Sequence, residues 1–163
     1  MAWIVVLAFF TCSVACATSV AGEPQAQRGD RVVELREPLS FRPVLENDIP
    51  FDPAARDVQM LDYMGFVIEA GVPFLTVATV ESVTVSRGAN DSDHVVDILL
   101  TESDRGTFEK WAARHSGRKV VATTTKSAYG YIQPGARQPG QPVRFEDSYT
   151  VEDATDIIAA LVG

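Results

Sequence analysis

Two histidines and a tyrosine-rich strand are the residues of this sequence whose types and spacing bear most directly on chemistry. His94 closes the run Asn90-Asp91-Ser92-Asp93-His94, in which two carboxylates could hold a cation or orient an imidazole. The competing reading is a solvated turn, the usual setting of Asp, Asn and Ser clusters. His115 shares a helical face with Phe108, Trp111 and Ala112, near a C-terminus where the helix dipole favours an imidazolium. It reads as a packed, capping histidine or, in the rival reading, as a general base. No serine, His-rich or paired-carboxylate motif accompanies either one, and no metal-ligand spacing occurs. Gly135-Ala136-Arg137-Gln138-Pro139-Gly140 lacks the Gly-Lys-Ser/Thr arrangement of a phosphate loop, and its proline removes a backbone donor. No catalytic residue, cofactor or metal is therefore expected. The expected binding residues are Tyr129, Tyr131 and Ile132 on one strand, with Phe145 and Tyr149 on the next. Tyr129 and Tyr131, two apart, should share a strand face, and their rings offer large contact area at low entropic cost. An open edge of that sheet could also take an extended peptide as an added strand. The plainer reading is that these rings cover the core.

The elements that position these residues are most regular after residue 94. Val95 to Leu100 reads as a strand, and Thr101-Glu102-Ser103-Asp104 as a capping box opening a helix that Gly117 stops. Strands follow over 119–124 and 128–132, then a loop with Pro134, Gly135, Pro139, Gly140 and Pro142, then a strand over 143–149. Thr150-Val151-Glu152-Asp153 is a second capping box, and Val151, Ala154, Ile157, Ile158 and Leu161 form the apolar face of a last helix. The order β-α-β-β-β-α predicts an α+β fold, an antiparallel or mixed sheet with helices packed on one face. Earlier, Arg31 to Glu46 suggests two short edge strands broken by Pro38 and Pro43, residues 47–57 a loop, and 74–85 a strand or a short helix beside one.

The 163 residues suit one domain. Residues 1–21 have the form of a secretory signal peptide, apolar and ending on Ser19-Val20-Ala21, and 22–30 form a flexible lead-in to a single domain over 31–163. The apolar run is shorter than the roughly 20 residues that span a bilayer. Both cysteines, Cys12 and Cys16, fall in the signal, which excludes a disulfide framework or a thiolate site from the mature domain. Cys16 follows small residues, so a lipid anchor there stands beside the reading of Cys16 as an ordinary signal residue. The net charge of −8 argues against nucleic acid or anionic lipid as partner.

The C-terminal half carries an ordered set of short motifs: Leu100-Thr101, Gly106, Phe108, Gly117-Arg118-Lys119, and Tyr149-Thr150-Val151-Glu152-Asp153-Ala154 before Ile157 and Leu161. In order and spacing this set resembles the head subdomain of the first periplasmic domain of SecD, the protein-export membrane protein also found fused as SecDF. The likeness is best over 73–163. Two departures stand out: Asp147 where the family usually has Gly, and a longer, Pro-rich connection after the hairpin. The resemblance implies a head module that contacts unfolded polypeptide outside the membrane, without the channel that follows in SecD. The resulting expectation is a periplasmic or secreted non-enzymatic module binding unfolded polypeptide or an envelope protein. A small exported hydrolase using His94 or His115, and a structural accessory subunit of an envelope complex, are the alternatives.

Overall fold

The computed structural model describes residues 32–45, 59–64, 66–90, 92–125, 127–134, 138 and 140–162. The expected signal, Cys16, the lead-in and the loop over 47–57 lie outside the described residues, as does Asp91. The fold is α+β, with every strand pairing among the described residues antiparallel. In chain order the elements are β1 (Val33–Pro43), β2 (Gln59–Tyr63), β3 (Phe66–Ala70), β4 (Leu75–Val80), β5 (Ser82–Arg87), β6 (His94–Leu99), α1 (Glu102–Arg114), β7 (Val120–Thr123), β8 (Ala128–Ile132), β9 (Val143–Arg144) and α2 (Val151–Val162). From β6 onward the order is the expected β-α-β-β-β-α. No described helix is long and apolar enough to cross a membrane.

Among the described residues the strands form three sheets, ordered β4-β1-β7-β8, β5-β6-β9 and β2-β3. The first two join at both ends. Glu81 alone separates β4 from β5, and its N–H donates to Leu99 O at 2.7 Å. At the far side the segment after β9 bridges β6 and β8: Phe145 N donates to Val96 O (2.9 Å) and Glu146 N to Tyr131 O (2.8 Å). The seven strands thus wrap one core containing Leu39, Phe41, Val80, Val96, Ile98, Val120, Ile132 and Phe145, with Phe108 of α1 and Leu161 of α2. A smaller cluster on the opposite face packs Leu61, Tyr63, Ile68 and Ala70 of the β2–β3 hairpin against Val121 of β7.

Several expectations change. Residues 33–43 form one strand, and β1 lies between β4 and β7 rather than at an edge. Pro38 is tolerated because the pairing with β4 is interrupted between Glu34 and Leu39, while β7 joins only from Ser40, so no ladder N–H is needed there. The segment 143–149 keeps strand pairing only at Val143 and Arg144, with an isolated bridge from Tyr149 back to His94. The β2–β3 hairpin is a finding the sequence reading did not contain. Its Tyr63↔Phe66 pairing leaves a two-residue connection, and Met64 has φ +50°, as such tight turns require.

Both helices start as their sequences predict, with a small difference. Asp104 N and Asp153 N donate to the hydroxyls of Thr101 (3.4 Å) and Thr150 (3.1 Å). Each hydroxyl in turn donates to its aspartate's Oδ2 at 2.8 Å, closing a side-chain pair rather than reaching the cap's backbone N–H. The aspartate is one methylene shorter than the glutamate that usually makes that reach. His115 caps α1: its N–H donates to Trp111 O and Ala112 O, and its ring stacks on Trp111 with centroids 4.5 Å apart. Trp111 stacks in turn on Phe74 at 4.0 Å, so the expected inward face of α1 buries only Phe108.

Candidate binding site

The five expected binding residues separate. Ile132 and Phe145 are fully buried, and their side chains belong to the main core instead of a surface. Tyr129 and Tyr131 do not share a face. Ala122 pairs with Gly130 and Thr123 with Ala128, so Tyr129 is an extra residue in β8. This bulge turns Tyr129 toward the main core while Tyr131 packs with the hairpin cluster. Tyr131 meets Tyr63 edge to face, with centroids 5.2 Å apart.

The edge of β8 is not open to an added strand along this stretch. Tyr131 N donates to Asp147 Oδ2 (2.9 Å), Tyr131 O accepts from Glu146 N, and Tyr129 O accepts from the Tyr149 hydroxyl at 2.7 Å. Asp147 is the side chain that occupies the edge N–H. Gly130 permits this closure. A Cβ there would meet Phe145 Cγ at 2.6 Å and the Tyr149 hydroxyl at 2.7 Å, distances that no packed pair sustains.

Tyr149 and Tyr129 nevertheless meet at one groove. It has a volume of about 340 Å³ and is lined by Tyr63, Met64, Tyr129 and Tyr149, with Asp153, Asp156 and Ile157 from α2. Tyr63 comes from β2, Tyr129 from β8 and Tyr149 from the turn into α2, so three separate elements converge. The Tyr63 and Tyr149 hydroxyls lie 3.3 Å apart. Burial drives the Tyr63 hydroxyl far above the usual phenol range, aided by its hydrogen bonds to Tyr149 and Asp147. Burial is also the main cause of the upward shift at Tyr149, reinforced by the Asp147 charge. Tyr131 is raised by burial and then by Asp147. At neutral pH these phenols stay protonated. Met64 projects from the hairpin turn at 69 % exposure, while Met60 and Val67 are exposed on the hairpin face opposite Leu61, Tyr63 and Ile68. Among the described lining residues there are two carboxylates and no cation, so the groove is apolar and aromatic with an acidic wall.

A second cavity, of about 320 Å³, lies between α1 and the loop after β8, lined by Leu100, Arg105, Phe108, Ala113, Gln141 and Val143 among others. The two histidines contribute to neither. His115 Nδ1 lies 2.9 Å from Trp111 O, and His94 exchanges both backbone hydrogen bonds with Tyr149. Asp93 bonds with Asn90 Nδ2 (2.6 Å) and Ser148 Oγ (3.3 Å), as a turn cluster does. Among the described residues no group of three His, Cys, Asp or Glu side chains could hold a metal ion.

The sequence reading missed Tyr63, Met64, Asp153, Asp156 and Ile157. Met64-Gly65 between two apolar runs was a turn signal, weaker than Asn-Gly or Asp-Gly. Asp153 was legible only as the last residue of a capping box, and Asp156 carried no signal of its own. No protein-family model matches the chain, and no curated protein matches it significantly.

Proposed function

We propose that the chain is an exported, non-enzymatic binding module, similar to a SecD head, that holds unfolded polypeptide or an extended segment of an envelope protein in the aromatic groove. The observation that carries this reading is the convergence of Tyr63, Met64, Tyr129 and Tyr149 beside Asp153 and Asp156. Aromatic rings and a flexible thioether accept apolar side chains of varied shape, as an unfolded client requires. The carboxylates select segments in which Lys or Arg flanks the apolar residue, and the net charge of −8 steers such segments inward. Binding uses side-chain pockets, because the β8 edge is already occupied.

Titration of the folded domain with two unfolded peptides of equal hydropathy, one Lys-flanked and one Glu-flanked, tests this by amide chemical shifts. The Lys-flanked peptide is expected to move Met64, Tyr129 and Ile157 and to lose most of its affinity in Asp153→Asn/Asp156→Asn. No shift at those positions at millimolar peptide sinks the reading. Turnover of any substrate that disappears on substituting His94 or His115 would favour the hydrolase instead.

A further inference from the structure

We infer that the cavity between α1 and the loop after β8 is a second, separate binding site, for a neutral amphiphile made of an apolar body and an amide. Its volume of about 320 Å³ lies at the lower end of ligand pockets. Leu100, Phe108, Ala112, Ala113, Pro134 and Val143 supply apolar lining. Here α1 presents alanines where larger side chains would fill the space.

The polar lining is specific in kind. Arg105 Nη2 is fixed by Glu81 Oε1 at 2.9 Å and Leu100 O at 3.3 Å, which orients the guanidinium. Arg105 Nε is buried without a hydrogen-bond partner among the described residues, and Nη1 lies on the Gly140 side, 3.9 Å from where a Cβ on that residue would sit. A donor-rich guanidinium beside an apolar cavity calls for a carbonyl acceptor. A full anion gains little, because Glu81 already offsets the Arg105 charge and Glu109 adds another carboxylate to the wall. Glu109 Oε1 accepts from Gly140 N at 3.0 Å, which ties α1 to the loop that forms the opposite side. Gln138 and Gln141 line the same wall, where Gln141 Oε1 accepts from Gln138 N at 3.3 Å; amide side chains of this kind match an amide on the ligand. A neutral carbonyl keeps the charge-assisted bond to Arg105 without like-charge repulsion.

An acyl amide and an apolar residue within a polypeptide both carry this chemistry, so the probes are octanamide, N-acetyl-phenylalaninamide and octanoate. Binding to the folded domain is followed by amide shifts and calorimetry. Octanamide is expected to move Ala113, Gln141 and Val143, to leave Tyr129 and Ile157 unmoved, and to bind at least about threefold tighter than octanoate. Ala113→Trp, which fills the cavity from an exposed helix position, is expected to weaken it about tenfold, and Arg105→Gln to weaken octanamide while sparing stability if Glu81 stays solvated. Stronger binding of N-acetyl-phenylalaninamide than of octanamide assigns the site to polypeptide; the reverse assigns it to a small acyl amide. Absence of shifts at the solubility limit, octanoate binding as tightly as octanamide, or indifference to Ala113→Trp overturns the inference. Because the two sites share no residue, failure here leaves the groove reading untouched, and failure there leaves this one.

Discussion

Helices α1 and α2 open on the same Thr-x-x-Asp cap, yet they finish the protein differently. α2 lies over β1, β5 and β6, with Ala154 and Leu161 buried and Ile157 and Ile158 packed against the core. Beside its N-terminus Phe145, Tyr149 and Gly130 close the seam between the two main sheets with no space left for a methyl group. α1 meets mainly β4, buries Phe108 alone, and stacks Trp111 and His115 sideways on Phe74. Its alanines and Arg105 leave a cavity open beneath the following loop. Cap chemistry sets where a helix begins; the volumes on its inward face decide whether it seals the core or leaves a site.

Gly130→Ala should produce the largest effect, because the added Cβ collides with two packed aromatic residues of the sealed seam. A loss of about 3 kcal/mol is expected, at the upper end for overpacking. Urea denaturation measures it, and a loss below about 1 kcal/mol would mean that the seam can move apart. A matched pair of Ala→Leu substitutions then compares the two helices directly. Ala154→Leu, at a fully buried position, is expected to cost about 2 kcal/mol, and Ala113→Leu, beside the cavity, to stay within about 0.5 kcal/mol of the parent. Equal losses would erase the distinction between a sealing and a site-forming helix.

The same contrast explains what could be read from the sequence. Helix starts, the hairpin strands β7 and β8, and the α+β order were legible because caps, alternation and glycine punctuation act over a few residues. The fate of the tyrosines was not, because the bulge at Tyr129 depends on how β8 meets β7, and a one-residue offset reverses the face. Ile132 and Phe145 are apolar residues whose burial depends on closure between sheets far apart in sequence. Pro38 was read as a strand breaker, which holds for a regular ladder and fails at an interrupted one. The hairpin carrying Tyr63 and Met64 had only a weak turn signal.

The caps sharpen the comparison by removing one variable. Thr101→Ala and Thr150→Ala each delete a hydroxyl that accepts from the third helical N–H, so each should cost about 1 kcal/mol. Near-equal values in thermal unfolding would show that the helices differ in packing and not in initiation. A Thr150→Ala loss several times larger would mean that the α2 cap is coupled to the neighbouring seam through Tyr149.

Tyr63→Phe should have a small effect at neutral pH and the most informative one in alkali. The Tyr63 and Tyr149 hydroxyls are held above the ordinary phenol value of 10.0, chiefly by burial. Between that value and their folded values the native state retains protons that the unfolded chain has lost. Their contribution is therefore fully present below about pH 10 and is lost as pH rises beyond it. Removing the Tyr63 hydroxyl should cost about 1 kcal/mol or less at pH 7, since its bond to Tyr149 is long at 3.3 Å and Tyr149 keeps its donation to Tyr129 O. Above pH 10 the variant should lose stability with a slope smaller by one proton than the parent. An unchanged slope would place the Tyr63 hydroxyl in solvent, and the groove floor would then be wet rather than sealed by the seam.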